Sequence, residues 1–263
     1  MKLKDKTAIV TGGGRGLGRA AALALAHEGA NVTVAARTVT EIERVAREIG
    51  ALGRRALAIQ TDVSGAAAVK AMVGKTIDQF GTVDILVNCA GVIGPIGLVS
   101  QIDAEEWART ISINLTGTFL CCQAVLGPMM AQKKGKIVNI SSGIGTHVYP
   151  RFTAYGVSKA GVNYLTENLA AEVQEFHIDV NAMNPGVTAT RMQEEIRAVP
   201  LELIGQEHFR RFHGLWEQGQ LYAPEEPTRL ILFLASPASD GLTGQYLSFS
   251  DERVQAMIAQ AVG

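Results

Sequence analysis

A chain of 263 residues that is 47% hydrophobic and 19% charged carries enough apolar material for one sizeable core, which excludes intrinsic disorder. Its 24 Lys and Arg balance 25 Asp and Glu to a formal net charge of −1, so no global positive field points to nucleic acid or an anionic membrane. Cys89, Cys121 and Cys122 match neither a metal-binding spacing nor a disulfide framework, and reduced thiols in a cytoplasmic protein are the simpler expectation.

In chain order, the N-terminal Met1-Lys2-Leu3-Lys4-Asp5-Lys6 lacks a secretory apolar region and leads straight into a strand at residues 7–10 that ends at glycines. Residues 15–28, rich in Ala and Leu, read as a helix stopping at Gly29, followed by a strand at 31–36. Ile42, Val45, Ala46 and Ile49 recur at helical spacing within 40–52, and 56–60 is a third strand. Ser64 is expected to cap a helix ending near Gly81, before a strand at 84–87. A long helical stretch over 103–130 and a strand at 136–140 follow, with Lys133-Lys134-Gly135-Lys136 between them as a solvated turn. Helices at 154–176 and 224–234 and strands at 178–183 and 245–249 complete the pattern, and no apolar run is expected to span a bilayer.

Strands separated by helices imply parallel pairing with right-handed crossovers. The expected fold is a single α/β domain over 1–263, doubly wound, with a parallel sheet of about seven strands flanked by helices. Residues 191–222 read as a mobile helical insertion on the substrate side. In 251–262, Val254, Met257, Ile258 and Ala261 form an apolar stripe on a tail helix, with Ser250 as its N-cap and Asp251 and Glu252 at its positive end. That helix is expected to dock on its own subunit or across a subunit boundary, or else to fray.

Thr11-Gly12-Gly13-Gly14-Arg15-Gly16-Leu17-Gly18 lies between the first strand and the first helix, where glycines let the backbone approach a pyrophosphate and the helix offers free N–H groups. The spacing T-G-x-x-x-G-x-G resembles that of the short-chain dehydrogenase/reductase family, over roughly residues 5 to 250. The resemblance implies a Rossmann fold and a nicotinamide cofactor. On the turn itself, Gly12, Gly14, Arg15, Gly16, Leu17 and Gly18 are the expected contacts.

The second strand ends Val34-Ala35-Ala36-Arg37, without the carboxylate that would bond a ribose hydroxyl and repel a 2′-phosphate. Arg15 and Arg37 form a candidate phosphate clamp, with Thr38 adding a hydroxyl, so the pairing looks like the NADP(H)-preferring branch, with NAD(H) as the alternative. An Arg37 that is merely a solvated helix-start residue is the other reading. The resemblance places Asp62 against the adenine amino group and Val63 against the ring, although Asp62 also suits a helix cap. Asn88-Cys89-Ala90-Gly91 resembles the family's N-N-A-G motif, which assigns Asn88, Ala90 and Gly91 to the cofactor and leaves Cys89 as packing.

Tyr155 and Lys159 are one helical turn apart, so they share a face. A neighbouring ammonium and a cationic oxidised nicotinamide both favour phenolate, which suits Tyr155 to general acid–base work. By resemblance, a serine thirteen residues before the tyrosine holds the substrate oxygen, which selects Ser142, and Asn114 orders a water that links Lys159 to solvent. Pro185, Gly186, Thr188 and Thr190 would lie against the nicotinamide by the same resemblance. No His, Asp and Glu grouping has metal spacing, and His147 reads as a loop histidine.

The implied reaction interconverts a carbonyl and an alcohol on a small molecule. A redox-neutral isomerase, epimerase or dehydratase and an idle cofactor-binding sensor are the rivals, separated by whether nicotinamide absorbance changes in net turnover. Apolar Ile93, Ile144, Val187 and Met192 suit an apolar ketone or alcohol, and Arg151 and Arg191 suit an acid. The resemblance also implies a homodimer or homotetramer.

Overall fold

The computed structural model describes residues 2–262. Among them, seven strands form one parallel sheet: β1 (Thr7–Thr11), β2 (Asn31–Ala36), β3 (Ala56–Gln60), β4 (Ile85–Asn88), β5 (Gly135–Ile140), β6 (Ile178–Asn184) and β7 (Tyr246–Ser248). Their order across the sheet is β3-β2-β1-β4-β5-β6-β7. The helices between them are α1 (Gly16–His27), α2 (Val39–Ala51), α3 (Ala66–Phe80), α4 (Ala104–Ile111), α5 (Gly117–Ala131), α6 (Thr153–Glu172), α7 (Arg191–Arg197), α8 (Leu201–Ile204), α9 (Gln206–Glu217), α10 (Thr228–Ala235) and α11 (Glu252–Val262).

The sheet is apolar on both faces, as the continuous hydrophobic strands require. In β1, Ala8 and Val10 join one core layer with Leu25 of α1 and Leu230 of α10, while Ile9 joins the opposite layer with Met72 of α3 and Val125 of α5. Register pairs Val10 with both Val34 and Val87, so the central strands end level with one another. After β3 the chain crosses to the far side of β1. This reversal of strand order opens a crevice beyond the carboxyl ends of β1 and β4, the usual ligand position in such sheets.

Several boundaries differ from the sequence reading for local reasons. Ser64 does not cap α3: Asp62 Oδ1 accepts from the Ser64 amide at 3.0 Å and its hydroxyl at 2.7 Å, and Gly65 takes the cap position. The expected helix at 224–234 begins only at Thr228, because Pro224 and Pro227 lack amide donors and hold a turn. Asp251, not Ser250, precedes α11 and accepts from the Arg253 amide at 2.8 Å. Val254 and Ile258 of α11 are buried in the same core layer as α10. Lys136 is no solvated turn residue: it is buried in β5 and its Nζ pairs with Asp179 at 2.6 Å and Asp240 at 2.8 Å.

The run from 104 to 131 is continuous helix that, by length and composition, is apolar enough to cross a membrane, contrary to the sequence expectation. Here it is a core element, with Cys121, Cys122, Val125 and Met129 buried against the sheet. Its middle turn, Ser112–Thr116, is π-helical and carries Asn114.

Candidate active site

Beyond the carboxyl ends of the strands lies a cleft of about 830 Å³. Every residue expected to contact cofactor lines it except Asn88, and so do Ser142, Tyr155 and Lys159. Asn88 is buried and turns the other way, donating to Asn139 Oδ1 at 2.9 Å between β4 and β5.

The nucleotide end is built from backbone. Gly12 has φ +64°, and a Cβ on Gly18 would sit 2.2 Å from the Gly12 carbonyl oxygen, so the first turn of α1 packs directly on the loop. Thr11, which the motif contains but whose role sequence reasoning missed, clamps the loop to β4. Its buried Oγ1 accepts from the Cys89 and Ala90 amides, each at 3.2 Å. Arg15 lies 3.8 Å from Glu41, a further cleft residue that the sequence did not reveal. Arg37 has no ion pair among the described residues. The Asp62 carboxyl is held below its usual range by the Ser64 hydroxyl, then by the Ser64 amide. A side-chain-free cradle at a helix N-terminus with guanidinium groups at its edge fits a dinucleotide.

At the other end, Ser142 follows β5 and hydrogen-bonds the Tyr155 hydroxyl. Lys159 Nζ donates to the Ile140 carbonyl at 2.7 Å. Asn114 is fully buried and does not line the cleft. Its amide both accepts from Val92 N (2.8 Å) and donates to Val92 O (2.9 Å), and it donates to Ser158 Oγ at 3.0 Å. Ser158, which lies between Tyr155 and Lys159 on α6, donates on to the Tyr155 carbonyl at 2.7 Å. The π-helical turn thus ties the loop after β4 to α6.

Burial dominates the electrostatics at this end of the cleft. Burial pushes the Tyr155 phenol up to about 12, and the Ser142 hydrogen bond only partly offsets it. Burial pushes Lys159 down to about 8, with Cys89 opposing weakly. Desolvation dominates both shifts, because each charged form loses its water and no carboxylate compensates. Burial also pushes Cys89 up to about 12, which disfavours its thiolate.

The loop after β6 closes this end. Gly186 has φ +74°, and a Cβ there would meet the Tyr222 ring at 2.7 Å. Thr188 forms a bridge with Tyr222, which orders the loop. The segment 191–222 folds as α7, α8 and α9 over the cleft mouth, where Phe212 packs with Phe152, Ile93 and Tyr155. Arg151 does not reach the cleft: its Nη1 donates to the carbonyls of Glu202 and Leu203 at 2.9 and 2.8 Å. His147 lines the cleft and shares a proton with Thr146 at 2.7 Å.

Fold and site together define a nucleotide-dependent oxidoreductase built on a parallel open sheet. The short chain dehydrogenase profile matches residues 6–200. A 3-oxoacyl-(acyl-carrier-protein) reductase of Synechocystis sp. is 40% identical over 245 residues, covering 92% of this chain and 94% of its own. A hydroxy(phenyl)methylsuccinyl-CoA dehydrogenase subunit of Thauera aromatica is 36% identical, covering 94% and 96%. Among solved structures, NAD+-bound xylitol dehydrogenase superposes with a TM-score of 0.88 at 28% identity, covering 94% of this chain and 98% of that one. Levodione reductase gives 0.87 at 28%, covering 97% and 99%. The chain belongs to the short-chain dehydrogenase/reductase family. It is an oxidoreductase that interconverts a carbonyl and an alcohol with a nicotinamide cofactor on a small-molecule substrate.

Proposed function

We propose that the chain prefers NADP(H) and uses Tyr155 as its general acid and base. The observation that carries this reading is the convergence of Ser142, Tyr155 and Lys159 at one end of a cleft whose other end holds the glycine turn and Arg37, which has no ion pair among the described residues. When bound, the reduced nicotinamide supplies the hydride that becomes the alcohol C–H bond. In the reductive direction, Tyr155 donates its phenolic proton to the substrate oxygen as charge develops there. Ser142 donates to the same oxygen and fixes the phenol beside it. The buried Lys159 holds the ribose side of the site, anchored at the Ile140 carbonyl. Asn114, reaching Tyr155 through Ser158, is a positioning residue. Gly12, Gly14, Gly16, Leu17 and Gly18 face the pyrophosphate, Asp62 and Val63 the adenine, and Pro185, Gly186, Thr188 and Thr190 the nicotinamide.

Ile93, Ile144 and Met192 line the substrate end, which favours a carbonyl with an apolar flank. The relatives named for thioester substrates make an acyl thioester one member of that class. Exposed Phe119 on α5 and Val157 and Tyr164 on α6 offer apolar area for a symmetric homodimer or homotetramer. A cytoplasmic location agrees with three reduced cysteines. The test is net turnover followed by nicotinamide absorbance, with NADPH and NADH against a carbonyl panel that includes a 3-oxoacyl thioester. Consumption of NADPH in preference to NADH is expected. Redox-neutral conversion without any absorbance change would remove the reading.

A further inference from the structure

Four arginines stand in or near the substrate half of the cleft or were expected there, and their partners differ. Arg151 is tied through Nη1 to two carbonyls in α8 and does not line the cleft. Arg191 lines the cleft but is paired, its Nε lying 3.2 Å from Glu195, which lines the cleft too. Arg197 is stacked on Trp216, its guanidinium 5.2 Å from the ring centre. Arg211 of α9 lines the cleft, is exposed, and has no hydrogen bond or ion pair among the described residues. Glu207, one turn earlier on the same helix, makes no ion pair with it.

The surroundings of Arg211 are aromatic and apolar. Its neighbour Phe212 is buried in a cluster with Phe152, Ile196 and Tyr155, and Tyr149 packs on that cluster. The guanidinium is near enough to act on the Tyr149 phenol and the His208 ring. The carboxylates that line the cleft are Glu41 and Asp62 at the nucleotide end and Glu195, which Arg191 already neutralises. An unpaired guanidinium beside low-dielectric walls attracts an oxyanion strongly, and its planar fork holds one bidentately.

We propose that Arg211 is a specificity residue that binds an oxyanion on the substrate, so that the preferred substrates are anionic carbonyl compounds or the corresponding hydroxy acids. This rests on the functional reading above. The anion is a carboxylate of the substrate itself or a phosphate of an acyl carrier. The chemistry at the guanidinium is shared, and the experiment separates the two sources.

The probes are acetoacetate and levulinate, their methyl esters, and acetoacetyl-CoA, each with NADPH. Ester reduction with NADPH consumption establishes the reaction independently of the anion. Wild-type enzyme is expected to favour an acid over its ester in kcat/KM. In Arg211→Met that ratio falls roughly tenfold or more, the range for a hydrogen bond to a charged group. Arg211→Lys keeps an intermediate ratio, because the point charge remains without the fork. The loss appears mainly in KM, and the acid's kcat/KM falls with added salt while the ester's does not. If only acetoacetyl-CoA loses kcat/KM in Arg211→Met, the oxyanion is the carrier phosphate. Equal acid-to-ester ratios in both enzymes, with acetoacetyl-CoA also unchanged, overturn the proposal. Where no probe is reduced, the reaction assignment fails on its own, and calorimetric titration of levulinate, its ester and acetoacetyl-CoA into the NADP+ complex still decides: weaker binding of the acid or of acetoacetyl-CoA in Arg211→Met, with the ester unchanged, supports the role, and unchanged binding of all three overturns it.

Discussion

The Nζ of Lys159 lies 5.6 Å from the centre of the Tyr155 ring, and both side chains are buried at the foot of the cleft. Burial favours the neutral form of each, pushing Lys159 down to about 8 and Tyr155 up to about 12. The phenol therefore stays protonated across neutral pH, which suits proton donation during carbonyl reduction. The ammonium, in contrast, is lost just above neutrality. For the free enzyme, kcat/KM for reduction should be level below about 8 and decline above it as Lys159 loses its proton. Lys159→Met should lower activity and abolish that alkaline limb. Persistence of the limb in this variant would assign it to another group.

Tyr155→Phe removes the hydroxyl and leaves the ring in its cluster with Phe152 and Phe212. Thermal unfolding and NADPH binding should be close to wild type. Turnover should fall by roughly 10²–10⁴-fold, the range for lost acid–base catalysis. Near-normal turnover under chemistry-limited conditions would show that another group moves the proton.

Ala36 ends β2 and lines the cleft beside Arg37 and Thr38. Ala36→Asp places a carboxylate where it opposes a 2′-phosphate and accepts from a ribose hydroxyl. Titration of both cofactors should show weaker NADPH and tighter NADH binding in the variant than in wild type. An unchanged preference would mean that Arg37 does not read the phosphate.

The alternation of apolar strands and helices was legible because both faces of the sheet are covered, as Ala8, Ile9 and Val10 show by joining opposite layers in turn. The phosphate turn and the pairing of Tyr155 with Lys159 were legible because their spacing is local. What the sequence hid depends on contacts between distant residues. Thr11 meets the Cys89 and Ala90 amides across two strands, and Glu41 reaches Arg15 from α2. Asn88 was misplaced because the two faces of a buried strand look alike in sequence, and its amide went to Asn139. The weight of burial on Lys159 and Tyr155 was hidden too, because desolvation cannot be read from spacing.

His208 is buried in α9 and stacked on Tyr149, with ring centres 4.3 Å apart, and its Nδ1 has no hydrogen-bond partner among the described residues. Burial lowers its pKa, with Glu207 opposing. A histidine depressed in the fold binds its proton more readily when unfolded. Its stabilising contribution is therefore full above the ordinary histidine value of about 6.5 and is lost as pH falls through it. Urea midpoints should drop as pH is lowered from about 7.5 towards 5.5, the window set by that value. His208→Phe keeps the stack and should flatten this slope. An equally steep slope in the variant would trace it to other groups.

Lys136 stands at the amino end of β5, at the end of the strands opposite the cleft. Its Nζ meets Asp179 Oδ2 at 2.6 Å, Asp240 Oδ1 at 2.8 Å and Ser239 Oγ at 3.2 Å. Asp240 is half exposed and recovers water easily, but Asp179 is buried in β6 and would keep only the Gly241 amide at 3.2 Å. Lys136→Met therefore leaves an uncompensated buried carboxylate, which costs about 3–5 kcal/mol. Removing both charges with Lys136→Met and Asp179→Leu should restore much of that loss, since a well-packed apolar pair is often neutral relative to a buried ion pair. Urea unfolding of the two single variants and the double variant forms a cycle that isolates the coupling. Because the cluster is remote from Tyr155, kcat at low temperature should remain near wild type in all three. A single variant within about 0.5 kcal/mol of wild type, the range of ordinary surface substitutions, would show that the pair contributes nothing to the fold.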